Sequence, residues 1–243
     1  MGLEGKVALV TGASRGIGEA TALEMAARGA KHIILAARSM DDLEQVRQRV
    51  EAAGGSASVL QLDLSKPESV AAFVRAVTDR WDALDIVMIN AAFAPSIASV
   101  PDIDPEEFST TLMVNVQATQ ALIAGFHALL EKSGSGRLIG VTSGAGLRPY
   151  PNFSSYGASK TAFDMLINTY AAENAENPKI RAALMAPGPT RTGMRARGFP
   201  DEDPMTLKTV EFVAQNLVDL IEQDFPNGHY LDVHKIFLES GST

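Results

Sequence analysis

Short runs of apolar residues recur along this 243-residue chain, separated by longer segments whose apolar residues have helical spacing. The runs are rich in Val, Ile and Leu and do not alternate with polar residues, which is typical of strands buried on both faces of a sheet. They lie at residues 7–11, 33–37, 59–63, 86–90, 138–143 and 180–185. The helical segments lie at residues 16–27, 41–53, 67–80, 105–130 and 156–173.

This alternation of strand and helix predicts an α/β fold. A strand that returns to the same sheet through a helix does so by a right-handed crossover, which makes the strands parallel. We therefore expect a doubly wound parallel sheet of about seven strands with helices on both faces. No stretch has the composition of a linker, so residues 1–243 are expected to form a single domain.

Cap signals mark where three of the helices begin. In each, a Ser or Asp side chain is placed to accept a hydrogen bond from a backbone N–H of the first turn, and an acidic residue follows three positions later. The pairs are Ser39 with Asp42, Ser65 with Glu68, and Asp104 with Glu107.

The charge and composition argue against several classes of protein. The net charge is −8 and the pI about 5.0, with acidic and basic residues mixed, which argues against a nucleic-acid or membrane partner. The chain has no cysteine and its four histidines are scattered, so we expect neither disulfides nor a metal site. No apolar run is long enough to span a membrane, and the first residues do not resemble a signal peptide, which favours a cytoplasmic protein.

A glycine-rich turn joins the first predicted strand to the first helix and reads Thr-Gly-Ala-Ser-Arg-Gly-Ile-Gly. Glycine permits a tight turn, lets a pyrophosphate approach backbone N–H groups and allows a helix to pack closely on a strand. The N-terminus of the following helix also attracts negative charge. The turn therefore predicts a dinucleotide-binding site, whose candidate contacts are Gly12, Ser14, Arg15, Gly16, Ile17 and Gly18.

A second group of residues suggests proton transfer. Tyr156 and Lys160 lie one turn apart on the same face of a predicted helix, and a cation beside a phenol favours the phenolate form. Ser143 ends the fifth predicted strand, and Asn115 lies on the long fourth helix. Each also has a purely structural interpretation, with Ser143 as a strand-end cap, Asn115 as a satisfied polar group and Tyr156 as a core residue.

The glycine turn and this second group together resemble the short-chain dehydrogenase/reductase family, from about Lys6 to Met194. The resemblance implies a Rossmann fold and hydride transfer between a nicotinamide and a carbonyl or alcohol carbon. It also implies roles for four residues. Asn115 would position a proton-relay water, Ser143 would hold the substrate oxygen, Tyr156 would transfer the proton, and Lys160 would lower the tyrosine pKa and hold the nicotinamide ribose.

The residues after the second predicted strand favour NADP(H) over NAD. Relatives that use NAD have an acidic residue there, which binds the ribose hydroxyls, whereas this chain reads Ala-Ala-Arg-Ser. Arg38 and Arg15 are placed to bind a 2′-phosphate through charge-assisted hydrogen bonds. The alternative is that both are solvated surface residues.

The resemblance implies further cofactor contacts. Asp63, beside Leu64, resembles the residue that binds the adenine amino group, and Asn90 belongs to a partial match to an Asn-Asn-Ala-Gly segment. After the sixth strand, a Pro-Gly-Pro-Thr-Arg-Thr sequence resembles the turn whose last threonine binds the nicotinamide carboxamide. The candidate contacts in that turn are Pro187, Gly188, Thr190 and Thr192.

Three loops are expected to surround the substrate, at residues 93–100, 144–153 and 187–208. The last of these reads as a mobile substrate loop, or alternatively as an ordinary surface excursion. Apolar residues there would form a pocket, and arginines would meet an anion. The apolar residues are Phe93, Leu147, Tyr150, Phe153, Met194 and Phe199, and the arginines are Arg148, Arg191, Arg195 and Arg197.

We therefore expect an NADPH-dependent oxidoreductase that interconverts a carbonyl and a secondary alcohol, with a small-molecule substrate. The alternatives are a 3-oxoacyl thioester reductase, a non-catalytic NADP-binding sensor, and a non-redox lyase or epimerase on the same scaffold. A homodimer or homotetramer is expected, although residues 227–233 depart from the Val-Asp-Gly-Gly turn of many tetrameric relatives.

Overall fold

The computed structural model of the protein describes residues 2–241. The predicted range 1–243 thus includes Met1, Ser242 and Thr243, which lie outside the described residues. Over the described part, the sheet has seven parallel strands in the order β3-β2-β1-β4-β5-β6-β7. They are β1 Val7–Thr11, β2 His32–Ala37, β3 Ala57–Gln61, β4 Ile86–Ile89, β5 Gly136–Val141, β6 Ile180–Ala186 and β7 His229–Asp232. The predicted doubly wound parallel sheet is confirmed.

Helices cover both faces of this sheet. They are α1 Gly16–Ala27, α2 Met40–Ala52, α3 Pro67–Thr78, α4 Pro105–Leu112, α5 Ala118–Ser133, α6 Ser154–Glu173, α7 Gly193–Gly198, α8 Val210–Glu222 and α9 Val233–Glu239. Buried residues of α1, α2 and α8 pack on one face, and those of α3, α5 and α6 on the other. Within the described residues, no helix is both long and apolar enough to cross a membrane.

Strand β1 shows why the strands are apolar throughout. Ala8 and Val10 belong to the core on the α1 face, whereas Leu9 belongs to the core on the α5 face. Successive side chains of a strand point to opposite faces, so a strand covered on both sides has no position for a solvated polar residue.

Three predicted strands extend further than the observed ones. The predictions placed Asp63, Asn90 and Ser143 at the ends of strands, but β3, β4 and β5 end at residues 61, 89 and 141. The physical reason is that these side chains bind backbone groups outside their own strands: Asp63 and Ser143 bind N–H groups of the following turns, and Asn90 binds the carbonyl oxygen of Thr11 at the end of β1. All three residues therefore lie just beyond the carboxyl edge of the sheet.

Two predictions about helices were wrong in detail. The helix predicted at residues 105–130 is α4 and α5 joined by one wide π-helical turn, Met113–Gln117. Ser65 does not cap α3, because the helix begins at Pro67 with Lys66 in the N-cap position. The N–H and O–H of Ser65 instead donate to Oδ1 of Asp63, at 3.1 and 2.7 Å. The caps predicted at Ser39 and Asp104 are confirmed.

Asp85 links the amino ends of β1 and β4 to the end of α5. Its carboxylate accepts hydrogen bonds from Nζ of Lys6 at 3.1 Å, from N–H of Val7 at 2.8 Å and from Oγ of Ser133 at 2.6 Å. Removing the acceptor takes the partner of the Val7 N–H and of the Ser133 hydroxyl at a partly buried place, and leaves Lys6 with Oγ of Ser135 at 2.9 Å.

We predict that Asp85→Ala lowers the free energy of unfolding by about 2–3 kcal/mol, because unsatisfied donors at a partly buried site lose hydrogen bonds that water only partly replaces. Urea unfolding followed by circular dichroism measures this. Asp82→Ala, at an exposed residue three positions earlier, is the control and should change stability by less than about 0.5 kcal/mol. Equal losses in both variants would contradict the prediction.

Candidate active site

The predicted site residues gather at the carboxyl edge of the sheet. The loops that follow β1, β4, β5 and β6 carry the glycine turn, Asn90, Ser143 and the turn from Pro187 to Thr192. The strand order reverses between β1 and β4, and ligands of open parallel sheets bind in the crevice at such a point.

The glycine turn is packed too closely to accept side chains. A Cβ atom on Gly18 would lie 2.3 Å from the carbonyl oxygen of Gly12, and one on Gly12 would lie 2.8 Å from Nδ2 of Asn90. Gly12 and Gly16 have positive φ angles of 67° and 62°, which favour glycine. Helix α1 follows without a side-chain cap from Arg15, so its first N–H groups can bind an anion.

Asn90 holds this turn against β4. Its Nδ2 donates to the carbonyl oxygens of Thr11 and Gly12 at 3.0 and 3.3 Å, and its N–H donates to Oγ1 of Thr11 at 3.0 Å. Ile89 and Ala92 stand where the family segment has its first Asn and its Gly, and these bonds form all the same.

The residues predicted to recognise the adenosine end lie after β1, β2 and β3. Arg15 and Arg38 are both exposed, and no carboxylate within residues 2–241 forms an ion pair with either. The hydrogen bonds from Ser65 lower the pKa of Asp63, and nearby Lys66 acts in the same direction. Leu64 is buried.

Ser143 and Tyr156 meet at the end of β5. Oγ of Ser143 accepts a hydrogen bond from N–H of Ala145 at 3.2 Å, and the same hydroxyl lies beside the phenol of Tyr156. Ser143 therefore caps the turn after β5 and adjoins the tyrosine. Burial raises the pKa of Tyr156 to about 12, the charge of Asp164 acts in the same direction, and the Ser143 hydroxyl opposes both.

Lys160 lies beneath the tyrosine and is only 3% exposed. Its Nζ donates to the carbonyl oxygen of Val141 at 2.8 Å and lies 5.8 Å from the ring centre of Tyr156. Burial lowers the pKa of Lys160 to about 8, and the charge of Asp164 opposes this. Burial of the phenol is the largest influence on the tyrosine pKa in this structure, and the role expected of Lys160 stays a prediction.

Asn115 is buried in the π-helical turn, and its side-chain amide is fully engaged. Oδ1 accepts from N–H of Phe93 at 2.8 Å, while Nδ2 donates to the carbonyl oxygen of Phe93 and to Oγ of Ser159, each at 2.9 Å. Oγ of Ser159 in turn donates to the carbonyl oxygen of Tyr156 at 2.7 Å. Asn115 thus fastens the loop after β4 to the first turn of α6, through a serine that the sequence analysis missed.

The turn after β6 faces the glycine turn across the crevice. Cγ2 of Thr192 lies 3.8 Å from where a Cβ of Gly16 would be. Oγ1 of Thr190 donates to the carbonyl oxygen of Gly188 at 3.0 Å, and Gly188 has a positive φ angle of 65°. The two sets of predicted cofactor contacts therefore line opposite walls of one cleft.

Lys208 and His234 support this turn, and sequence reasoning found neither. Nζ of Lys208 donates to the carbonyl oxygen of Pro189 at 2.7 Å and lies 3.2 Å from Nδ1 of His234. Burial lowers the pKa of His234, as do the charges of Lys208 and, less, Arg148, while Asp232 opposes them.

Aromatic rings connect the three loops above the sheet. Phe153 stacks on Phe199 with centroids 5.6 Å apart, and it contacts Tyr150 edge-on at 6.5 Å. A backbone bridge joins Phe153 to Ala98. Leu147, another of the predicted pocket residues, is 64% exposed. The apolar wall is therefore formed by the aromatic rings and not by Leu147.

Three of the four candidate anion-binding arginines have partners inside their own loop, and the fourth, Arg197, is exposed. Arg195 pairs with Glu202 at 2.7 Å, and Arg191 donates to the carbonyl oxygens of Pro204 and Leu207. Arg148 donates to the hydroxyl of Tyr150 at 2.6 Å. The loop predicted at residues 187–208 also contains α7 and a 3₁₀ turn, Pro204–Thr206.

The fold and these clusters are typical of dinucleotide-dependent oxidoreductases. The sequence model of the short chain dehydrogenase family matches residues 6–203. YciK of Escherichia coli strain K12, an oxidoreductase, is 33% identical over 210 residues, which are 85% of this chain and 82% of YciK. The chain therefore belongs to the short-chain dehydrogenase family.

Solved structures agree with this assignment. A short chain dehydrogenase from Shigella flexneri 2a complexed with NADP has a TM-score of 0.90 and 31% identity, over 96% of this chain and 98% of that one. Another from Escherichia coli CFT073, complexed with NADPH, has a TM-score of 0.90 and 32% identity over the same shares of the two chains.

We predict that His234 makes the protein less stable in mild acid. As the pH falls below about 6.5, the unfolded chain binds a proton at His234 before the folded protein does, so the free energy of unfolding decreases. His234→Gln removes this contribution, and its stability should therefore fall less than that of the wild type between about pH 7 and about pH 5. Urea unfolding across this range measures the slopes. His229→Gln, away from Lys208, is the control, and a wild-type slope in His234→Gln would refute the prediction.

Proposed function

We propose that this chain is an NADP(H)-dependent oxidoreductase that interconverts a carbonyl group and a secondary alcohol. The observation that carries the proposal is the meeting of Ser143, Tyr156 and Lys160 at the carboxyl end of β5, beside a glycine turn shaped for a pyrophosphate. The nucleotide cleft is thus adjoined by three groups: a proton donor, a hydrogen-bond partner for a substrate oxygen, and a cation.

The residues present fit NADP(H). The bare glycine turn and the N-terminus of α1 suit the pyrophosphate, and the exposed, unpaired Arg15 and Arg38 suit a 2′-phosphate. Thr192, on the opposite wall, suits the carboxamide. The NADP and NADPH in the two similar structures support this choice. When bound, NADPH supplies the hydride for reduction of a carbonyl.

The side chains of this protein supply the proton and orient the substrate. Ser143 donates a hydrogen bond to the carbonyl oxygen, and Tyr156 gives its proton to that oxygen as negative charge develops there. A tyrosine pKa of about 12 keeps the phenol protonated at neutral pH, as carbonyl reduction requires. Lys160 stabilises the phenolate left after transfer and binds the nicotinamide ribose.

The pocket favours an apolar, uncharged carbonyl compound. Tyr150, Phe153 and Phe199 form an aromatic wall, while Arg191 and Arg195 bind within their own loop. A 3-oxoacyl thioester carries a phosphorylated arm. Arg148, Arg191 and Arg195 would have to exchange their present partners for it, which leaves only the exposed Arg197 to meet it directly. We infer that residues 187–208 form the substrate loop, because the Phe153–Phe199 contact holds them over the site.

We also propose a homodimer that packs through the outer faces of α5 and α6. A groove of about 680 Å³ runs between these helices, lined by residues that include Ile123, His127, Leu166 and Tyr170. Residues of both helices would enter such an interface. Analytical ultracentrifugation tests it, and a monomer at micromolar concentration would refute it.

We predict that Tyr156→Phe lowers the rate of carbonyl reduction by at least about 100-fold, because the general acid is lost. NADPH oxidation is followed by absorbance with a panel of ketones, quinones, sugars and acyl thioesters, each with NADPH and with NADH. NADPH affinity, measured by fluorescence titration, should change by less than about threefold. The matched control, Tyr170→Phe, removes a buried hydroxyl that contacts His127 instead. Reduction by Tyr156→Phe at the wild-type rate would overturn the proposed function.

We predict that Arg38→Ala raises the KM for NADPH by about tenfold and leaves the KM for NADH nearly unchanged, because a charge-assisted bond to the 2′-phosphate is worth about 1.5–3 kcal/mol. Arg49→Ala, on α2 and paired with Glu19, is the control. Equal effects on both cofactors would show that Arg38 does not read the 2′-phosphate.

A further inference from the structure

Three ionisable side chains are aligned along one face of α6. Tyr156, Lys160 and Asp164 are each one turn apart. Lys160 and Asp164 are only 3% and 6% exposed, and burying a charge is unfavourable unless another group compensates it. The proposed reaction uses the tyrosine and the lysine but gives no role to Asp164.

The carboxylate of Asp164 has no well-formed hydrogen bond within the described residues. Neither Oδ1 nor Oδ2 has a donor at good geometry, and Oγ1 of Thr142 beside it has no such partner either. Burial raises the pKa of Asp164, while Thr142 and the charge of Lys160 lower it. Hydrogen bonds from backbone or side-chain donors of the described residues therefore do not compensate the burial of this acid.

The loop after Ser143 brings the acid close to the lysine stem. A Cβ atom on Gly146 would lie 2.7 Å from Oδ2 of Asp164 and 3.3 Å from Cβ of Lys160. Nζ of Lys160 binds the carbonyl oxygen of Val141 and makes no direct ion pair with Asp164 in the structure. Each charge nonetheless acts on the pKa of the other group, because both lie in buried protein, where water screens them weakly.

The other titratable groups near Asp164 do not compensate its charge. The charge of Asp164 raises the phenol pKa of both Tyr156 on α6 and Tyr230 on β7. In each case burial is the larger cause of the raised pKa. Lys160 is the cation whose charge acts on Asp164. Asp164 in turn opposes the effect of burial on Lys160.

We propose that Asp164 is a positioning residue for the reaction, a buried counter-charge that keeps the proton on Lys160 and on Tyr156 until the substrate takes it. The inference rests on the proposed function, since it assigns Asp164 to that same proton-transfer pair. Asp164 acts through the pair and does not contact the substrate.

The test is the pH dependence of carbonyl reduction. Reduction needs the proton on both groups, and removing the negative charge makes both release it at lower pH. In Asp164→Asn, the alkaline limb of kcat/KM should therefore move to lower pH by roughly one unit. The assay uses NADPH and phenanthrenequinone. A purely structural defect would lower the rate at every pH without moving the limb.

NADPH binding gives a second readout that needs no turnover. A neutral lysine loses its charge-assisted bonds to the ribose, so fluorescence titration should find NADPH affinity unchanged in Asp164→Asn at about pH 6 and roughly fivefold weaker at about pH 8. Asp164→Glu keeps the charge and should keep the limb at its wild-type position. Glu173→Gln, an exposed acid on the same helix, is the matched control and should change neither measurement.

The outcomes separate this inference from the proposed function. A wild-type limb and wild-type binding in Asp164→Asn, with Tyr156→Phe inactive, would overturn the role of Asp164 alone. Reduction by Tyr156→Phe would overturn the proposed function itself. Asp164→Ser is a smaller neutral variant for use if Asp164→Asn does not fold. If both neutral variants fail to fold while Asp164→Glu folds, the carboxylate serves the fold and the inference is wrong.

Discussion

The close approach of α6 to β5 is the constraint on which the candidate site depends. A Cβ atom on Gly140 would lie 2.9 Å from the ring of Phe163 and 3.1 Å from Cγ1 of Ile167, so a larger residue would push the helix away from the strand. Because the helix lies this close, Nζ of Lys160 reaches the carbonyl oxygen of Val141. The same approach brings the first turn of α6 to the end of β5, where Tyr156 meets Ser143.

The close packing of α6 on β5 buries ionisable groups, which is electrostatically unfavourable. Burial disfavours the charged form of every ionisable group, so it raises the pKa of Tyr156 and lowers that of Lys160. The charge of Asp164 acts against burial at Lys160 and together with burial at Tyr156, so at both groups it favours the protonated form. Reasoning from the Tyr–Lys pair alone left out desolvation and Asp164, because neither can be seen in the spacing of the two residues.

The fold could be predicted from the sequence because its strongest signals are local. Strands covered on both faces must be continuously apolar, and a glycine-rich turn between a strand and a helix is typical of dinucleotide-binding folds. The predictions that were wrong in detail concern a helix cap and a change in helix type. Ser65 has the spacing of a cap, but α3 has Lys66 in the N-cap position, and Ser65 donates to Asp63 in the preceding turn. The π-helical turn at Asn115 adds one residue to a helix without interrupting its apolar pattern, so periodicity could not find it.

The site residues that sequence reasoning missed have partners far away along the chain. Ser159 receives a hydrogen bond from Asn115, and Lys208 bonds to Pro189 while lying beside His234. Nothing within a few positions of Ser159 or Lys208 marks them as different from other helical serines or surface lysines. Their roles depend on the packing of α6 against the π-helical turn and of the substrate loop against α9, which exists only once the sheet has formed.

Phe153 shows how these long-range contacts join the loops after β4 and β6 to the helix that carries Tyr156. Its ring stacks on Phe199 in the loop after β6, and its backbone bridges to Ala98 in the loop after β4. Its carbonyl oxygen also accepts the N–H of Gly157 at 2.7 Å, in the first turn of α6. A ligand that displaced the ring of Phe199 would therefore disturb the residue from which the helix bearing Tyr156 begins. The aromatic wall and the phenol of Tyr156 are therefore mechanically connected, and under the proposed function replacements in the wall act on proton transfer as well as on binding.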